Sequence, residues 1–188
     1  MGLNKHKLGE YLYQSDTRNY DNKLGANDVR GIATSKRFIE TKANLTGVSL
    51  TSYKTVMPGQ FAYVPDTSRR GDKISLGYNE SQEIYLVSSI STVFGIKENR
   101  VTDLLSDYLF IFMNRPEFDR YSRFNSWGSA RETFSWEDLC DTEIEVPPLP
   151  VQRKYVDIYQ NIRENLDTLY RSMQRMDQVC KIGRASCR

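Results

Sequence analysis

Basic residues interleaved with small polar residues form three clusters that could contact nucleic acid. The clusters are Lys36 and Arg37; Arg69, Arg70 and Lys73; and Arg123, Asn125 and Arg131. Arginine can fork onto guanine edges, asparagine can pair with adenine, and lysine, serine and threonine hold phosphates. The alternative is solvated surface charge, with several residues paired to neighbouring Asp or Glu, and residue types alone do not decide against it. For Arg131 a further alternative is that it braces the loop at Gly128.

Catalytic patterns are largely missing from the sequence. The single histidine, His6, would have to serve any Ser-His-Asp or Cys-His arrangement, and no dinucleotide, Walker A or H-E-x-x-H motif occurs. An acidic alternation, Asp141, Glu143 and Glu145, faintly resembles a nuclease metal site, but a polar edge-strand face explains it better. We therefore expect a non-catalytic chain with no metal and no cofactor of its own.

The composition indicates one compact domain with an appendage. The chain has 188 residues, of which 39% are hydrophobic and 27% charged, and its 26 basic residues almost balance 24 acidic ones. This balance excludes a histone-like polycation but allows a local basic face. No apolar run is long enough for a membrane span, the N-terminus has no signal-peptide pattern, and three scattered cysteines give no disulfide framework. We expect a cytoplasmic protein.

Short strands separated by turn-forming residues are predicted over the first 100 residues. The predicted strands are Val29–Thr34, Val48–Thr51, Phe61–Val64, Ile84–Ser88 and Thr92–Ile96. Glycines at the turns and β-branched residues between them favour a mixed, largely antiparallel sheet. With the short helices predicted after residue 100, the fold class is α+β, followed by a long C-terminal helix.

Helical spacing replaces the strands after residue 100. One helix is predicted over Thr102–Asn114 with Thr102 as its cap, and Pro116 suits the first position of a second over Glu117–Phe124. Ser135 is expected to begin a third helix, before an edge strand at Thr142–Val146. Four aromatic residues at three-residue spacing are interpreted as a core-packing stripe; they are Phe118, Tyr121, Phe124 and Trp127.

A proline-rich junction divides the chain into a domain, residues 1–148, and a helix, residues 149–180. Apolar residues recur along the helix at steps of three and four, with an eleven-residue repeat that keeps the stripe straight or slightly right-handed. The stripe assigned to a partner helix is Tyr155, Ile158, Ile162, Leu166, Leu169, Met173 and Met176. The helix, about 45 Å long, exceeds what the domain needs for its own core. The alternative is that its first half packs on the domain and the rest frays. Residues 181–188 follow no period and are interpreted as a tail.

Motifs in a particular order carry a resemblance to a known family. Lys7–Tyr11 opens the chain, Pro58-Gly59-Gln60-Phe61-Ala62-Tyr63 lies in its middle, and Trp127–Arg131 precedes the predicted third helix. Pro147-Pro148-Leu149-Pro150-Val151-Gln152-Arg153 then leads into the long helix and is the most specific piece. From about residue 7 to 178 this order resembles the DNA-specificity (S) subunit of type I restriction–modification systems.

The resemblance implies a target-recognition domain followed by a conserved spacer helix. Such a subunit reads duplex DNA and does no chemistry. It holds two methyltransferase (modification) subunits, and a motor-nuclease subunit can join them. S-adenosylmethionine, ATP and Mg²⁺ are implied only for those partners.

The chain departs from the family pattern in length, because a full specificity subunit carries two recognition domains and two spacer helices. If the helix pairs with a second copy, a homodimer would mimic the tandem arrangement and read a split site with symmetric halves. The sequence leaves two alternatives open. One is a helix-mediated oligomerisation or scaffold protein without DNA readout, and the other is a minimal nuclease using Asp141, Glu143 and Glu145.

Overall fold

A computed structural model describes residues 5–67, 73–128 and 131–185, with side chains described as far as residue 176. The strands in this part of the chain are β1 (Lys5–Lys7), β2 (Leu12–Ser15), β3 (Arg30–Ile32), β4 (Phe38–Glu40), β5 (Lys54–Val56), β6 (Phe61–Tyr63), β7 (Leu76–Tyr78), β8 (Tyr85–Val87), β9 (Thr92–Ile96) and β10 (Glu143–Glu145). The α-helices are α1 (Ser106–Met113), α2 (Pro116–Phe124), α3 (Trp136–Asp141) and α4 (Leu149–Ala185). Three short 3-10 turns lie at Leu8–Glu10, Ala26–Asp28 and Glu98–Arg100.

An antiparallel four-stranded sheet lies at the centre of the N-terminal domain, by which we mean the elements before α4. Its strand order is β2-β9-β6-β7, and β6 pairs with both neighbours, with Phe61 opposite Phe94 on one side and Tyr78 on the other. Three further antiparallel pairs, β1–β10, β3–β4 and β5–β8, surround it. Together with the helices they confirm the α+β class and the largely antiparallel sheet.

The main core forms where α1, α2 and α3 cover this sheet. Phe61 stacks on Phe94 at 5.1 Å between ring centroids and on Tyr78 at 4.6 Å. Leu109 and Met113 of α1 are fully buried in the same cluster. Removing this apolar surface from water is the principal force that holds the short strands together.

Four of the five predicted strands overlap observed ones, namely β3, β6, β8 and β9. The fifth prediction, Val48–Thr51, is wrong. These residues form turns, in which the Val48 amide donates to the Leu45 carbonyl and the Tyr53 amide to the Leu50 carbonyl. Leu50 alone of this segment is buried, and it fills a small core without joining a ladder, whereas Val48 is 45% exposed. Strands β1, β2, β4, β5 and β7 were not predicted.

Local signals place the short helices correctly in two of three cases. Pro116 begins α2, and Ser135 caps α3 by accepting the Asp138 amide at 3.0 Å. The predicted start of α1 at Thr102 is wrong, because α1 begins at Ser106 with Leu105 as its N-cap residue. The predicted edge strand forms as β10, which pairs with β1 and alternates exposed and buried residues.

The predicted long C-terminal helix forms, but it continues past its predicted end at residue 180 into the segment interpreted as a tail. It begins at Leu149, directly after the two prolines, and its 37 residues reach Ala185, so it is about 55 Å long. No helix in the described part of the chain is both long and apolar enough to cross a lipid bilayer.

Candidate nucleic-acid interface and partner helix

Two of the three predicted basic clusters lie at loops that are joined to each other. Asp66 and Trp127 each form a β-bridge with Thr133. The Thr67 amide donates to the Glu132 carbonyl at 3.0 Å, and its hydroxyl donates to the same oxygen at 3.2 Å. Residues 66–67, 127 and 132–133 therefore lie side by side.

Arg123 holds these two segments together. Its Nη1 donates to the Thr67 carbonyl at 3.0 Å and lies 3.1 Å from Glu132 Oε2. The side chain is about one-third exposed, so part of the guanidinium faces solvent. Arg123 is thus a brace for the loops, and a DNA contact through its exposed part stays a prediction.

The other members of these clusters occupy different positions. Asn125 ends α2, since its main-chain and side-chain amides both donate to the Tyr121 carbonyl, whereas Lys73 and Arg131 are exposed. Gly128 has φ 139°, and a Cβ there would lie 2.1 Å from the Arg131 carbonyl oxygen. The backbone of Arg131 therefore closes the turn at Gly128 while its side chain reaches solvent. Arg69 and Arg70 lie outside the described residues.

Lys36 of the first cluster is buried, which contradicts its prediction as a DNA contact. Its side chain is 4% exposed, and its Nζ lies 2.7 Å from Asp119 Oδ1 and donates to the Met113 carbonyl at 2.5 Å. Burial lowers the pKa of the Lys36 ammonium, and the ion pair with Asp119 opposes that shift. With both partners inside the protein, the ammonium cannot reach a phosphate in this conformation.

The buried ion pair connects the three basic clusters. Lys36 sits in the turn between β3 and β4 with φ 58°, in the left-handed region that few non-glycine residues adopt. Asp119 lies on α2, and its carboxylate accepts a hydrogen bond of 3.2 Å from the amide of Ile74. Ile74 is the residue that follows Lys73. The pair thus fixes the first cluster's turn against α2 and against the end of the second cluster. Lys36 therefore lies close to the other basic clusters, as predicted, but it stabilises the fold and does not contact DNA.

Arg37 lies beside Lys36 but is exposed, in a cleft between the domain and α4. The cleft has a volume of about 620 Å³, and Tyr159 and Arg163 of α4 line its other side. Arg163 is 2.7 Å from Glu80, which ties this part of α4 to the domain. Arg37 is therefore accessible, but at a different place from the joined loops of the other two clusters.

The aromatic stripe of α2 leaves the core at its C-terminal end. Phe118 is buried and Tyr121 is half-buried, as the core interpretation expected. Phe124 is 78% exposed and Trp127 is 63% exposed, so for these two residues the core interpretation is wrong. Helical spacing continues past the point where α2 ceases to cover the sheet.

Gln152 attaches α4 to the domain and is the residue that sequence reasoning missed. Its side chain is fully buried, and its Oε1 accepts the Leu105 amide at 2.9 Å, which caps α1. Its Nε2 donates to the carbonyls of Asp103 and Pro147, both at 2.7 Å. The Pro-Pro-Leu-x-x-Gln junction is the sequence signal that could have identified it.

The predicted partner-facing residues of α4 form an exposed apolar stripe. The α4 stripe consists of Tyr155, Ile158, Ile162, Leu166, Leu169, Met173 and Met176, which are 46–62% exposed. Val156 is buried against the domain, and the Tyr155 ring lies 6.0 Å from that of Tyr108. Domain contact therefore covers the beginning of α4 and leaves most of the stripe in solvent.

The carboxylates of the nuclease alternative lie on the edge ladder β1–β10 and beside it. Glu143 lies 2.9 Å from Lys5 Nζ, and Asp141 lies 2.7 Å from Lys7 Nζ. Glu143 and Glu145 are exposed on either side of the buried Ile144. Within the described ranges, no three His, Cys, Asp or Glu side chains are grouped to hold a metal ion.

Comparisons of sequence find no matching family model and no matching curated protein. Comparisons of structure do find chains with a similar fold. A chain from a structure of the type I R-M system, described for its complex assembly and conformational transition, has a TM-score of 0.56 and 14% identity. The match covers 91% of this chain and 40% of that chain.

Two S subunits give similar results. The HsdS subunit from Thermoanaerobacter tengcongensis has a TM-score of 0.53 and 15% identity, with 91% of this chain covering 40% of that subunit. The type I restriction–modification S subunit from M. genitalium has a TM-score of 0.54 and 9% identity, with 90% covering 41%. The chain therefore has the fold of type I restriction–modification specificity subunits, over about two fifths of their length.

Proposed function

We propose that this protein is a DNA-recognition subunit of a type I restriction–modification complex and reads one half of a split duplex target. The observation that carries the proposal is the shared fold, which includes both the domain and the long helix and extends over 91% of the chain. The joined loops at residues 66–67 and 127–133, with exposed Lys73 and Arg131 beside them, are the proposed place of DNA contact.

The α4 stripe is the proposed contact for protein partners. A second copy of the chain would supply a second domain and a second helix, and the two domains of such a homodimer would read symmetry-related half-sites. Methyltransferase subunits would dock on this assembly, and a motor-nuclease subunit would complete it. The chain itself does no chemistry in this proposal. S-adenosylmethionine, ATP and Mg²⁺ belong to the partners, and the complex works in the cytoplasm.

The exposure of the α4 stripe also favours a second candidate, a scaffold that oligomerises through α4 without DNA readout. Contiguous exposed apolar surface of this kind indicates a protein partner whatever the domain does. The two candidates differ in one property, which is salt-sensitive and sequence-dependent binding to duplex DNA.

Selection from a random duplex pool at two salt concentrations tests the proposal. The full chain is used alone and together with the methyltransferase subunit encoded beside it. Enrichment of a split motif would support the recognition subunit, and symmetric halves would support the homodimer. A single half-motif would indicate a monomeric reader. No enrichment in either arm would overturn DNA readout and leave the scaffold as the better account.

A further inference from the structure

Two large aromatic side chains are exposed at the end of α2 although the same helix buries others. Phe124 is the last residue of α2 and Trp127 follows three residues later, and both are more than 60% exposed. A soluble domain gains stability by burying such rings, and neighbouring exposed aromatics on one surface are typical of binding sites. We therefore expect a ligand to bind at this surface and to cover both rings.

The backbone around Trp127 is fixed, so the ring is presented from a defined place. The Trp127 amide donates to the Thr133 carbonyl at 3.1 Å, and the Thr133 amide donates back at 2.9 Å. Gly128 then turns the chain with a φ that side-chain-bearing residues rarely adopt. Arg123 links this turn to the neighbouring segment at Thr67. Trp127 is thus part of the joined-loop surface, and Phe124 directly follows Arg123, the residue that braces it.

The charge around the aromatic pair favours a polyanion over an apolar protein surface. Arg120 is paired with Glu117 at 3.0 Å and Arg123 with Glu132 at 3.1 Å, so these two arginines already have acidic partners. Arg131 and Lys73 are exposed beside the joined segments, and Asn125 lies between the two rings in sequence. Proteins that hold a nucleic-acid backbone with basic residues often place aromatic or apolar side chains against the bases or between base steps.

We propose that Phe124 and Trp127 are the apolar contact of the DNA interface, with the Trp127 ring against the bases and the exposed Arg131 on a phosphate. This inference rests on the proposed DNA recognition and assigns it residues that the basic clusters did not include. It also separates two kinds of contact at one surface. An apolar contact adds affinity at every salt concentration, whereas each phosphate contact adds to the salt dependence.

The salt dependence of binding tests this division of tasks. Affinity for the selected duplex is measured with the full chain and its methyltransferase partner at several salt concentrations, for Trp127→Ala, Phe124→Ala, Arg131→Ala and Tyr20→Ala. Trp127→Ala should weaken binding about tenfold and Phe124→Ala about fivefold, both with an unchanged log–log salt slope. Arg131→Ala should lower the slope by about 0.9. Tyr20, an exposed aromatic outside this surface, is the matched control and should change neither quantity.

Tryptophan fluorescence gives a direct reading of the contact, because the chain has only two tryptophans. Trp136 packs on Phe94 in the core, so Trp136→Phe leaves Trp127 as the reporter while keeping an aromatic ring there. Saturating duplex should quench this emission by a third or more, since stacked bases quench indole. The difference between the wild-type chain and Trp127→Phe gives the same signal without altering Trp136.

The outcomes distinguish this inference from the function it rests on. If the wild-type chain selects no DNA sequence, both fail. If it selects a motif, but Trp127→Ala binds as tightly as wild type and the emission stays constant, only the aromatic contact is wrong. Loss of methyltransferase binding by Trp127→Ala in the absence of DNA would assign the surface to that protein and overturn the proposal.

Discussion

Inside the N-terminal domain and at its contact with the start of α4, charged and amide side chains are buried with their partners, whereas farther along α4 large apolar side chains are exposed. Lys36 is 4% exposed and paired with Asp119, and Gln152 is fully buried with three main-chain partners. Ile162, only ten residues beyond Gln152, is 60% exposed. The polar groups of the domain are satisfied within one chain, and the apolar groups of α4 are not.

This difference separates what the chain does alone from what it does in an assembly. A buried polar group with fixed partners holds neighbouring segments in one geometry, because any other arrangement leaves a group unpaired in a dry environment. In this domain the segments so held are those with the predicted DNA contacts. An exposed apolar stripe gains free energy only when another surface covers it.

Removing the Lys36 charge should have the largest effect on the domain. Lys36→Met leaves the Asp119 carboxylate buried without its cation, so we expect the free energy of unfolding to fall by about 3–5 kcal/mol. Chemical denaturation measures this loss. The paired change Lys36→Met with Asp119→Leu removes both charges and should recover most of the stability. Equal instability of the single and paired variants would show that packing matters there and the ion pair does not.

Gln152→Ala should be nearly as damaging, because it leaves the Leu105 amide and two carbonyls without their partner. We expect a loss of about 3 kcal/mol in the free energy of unfolding, and amide exchange should accelerate at the start of α1. Gln160→Ala, at an exposed glutamine on the same helix, is the control and should stay within about 0.5 kcal/mol of wild type. Comparable losses for the two variants would contradict the anchoring role.

A charge in the α4 stripe should separate assembly from folding. Leu166→Asp places a carboxylate where a partner helix would pack, so we expect the dissociation constant of the dimer to rise about 100-fold or more, with little change in the domain's unfolding. Light scattering over a concentration series measures the first quantity and denaturation the second. Asn165→Asp is the control, because Asn165 is an exposed residue of the same turn outside the stripe. A wild-type chain that stays monomeric at high concentration would count against the homodimer.

The smallest effect should come from the exposed ion pair of Lys5 and Glu143. Both side chains are more than half exposed, so water and salt already screen the attraction between them. Lys5→Met should leave the free energy of unfolding, measured by chemical denaturation, almost unchanged. The difference in the loss of stability between Lys36→Met and Lys5→Met measures how much burial strengthens a lysine–carboxylate pair of similar distance.

The sequence predicted those elements whose signals are local. Pro116 and the capping residue Ser135 mark the starts of α2 and α3, and the prolines at 147 and 148 mark the start of α4. Each of these signals acts within a few residues of the element that it begins. Strand β5 begins with Lys54 and β7 has Gly77 at its centre, and both residue types are depleted in strands, so these two segments gave no strand signal.

The errors come from contacts between residues far apart in the chain. The cap of α1 is the side chain of Gln152, 47 residues beyond Leu105, so the local capping signal at Thr102 was misleading. Lys36 is buried by Asp119, which its own surroundings in sequence do not reveal. Along α2, spacing alone could not show that the core ends between Tyr121 and Phe124. The sequence could therefore predict which clusters of residues belong to the candidate site. It could not predict which members are buried, which brace the loops and which are exposed.

The pairing of β1 with β10 bears on the order in which the molecule assembles during synthesis. These strands join residues 5–7 to residues 143–145, so the N-terminal domain cannot close its edge until nearly all of its sequence exists. Pairing of strands that are so far apart in sequence is slow, and apolar surfaces that are exposed in the meantime promote misassembly. The α4 stripe is translated after β10. All strands of the domain therefore leave the ribosome before the surface most prone to premature association does.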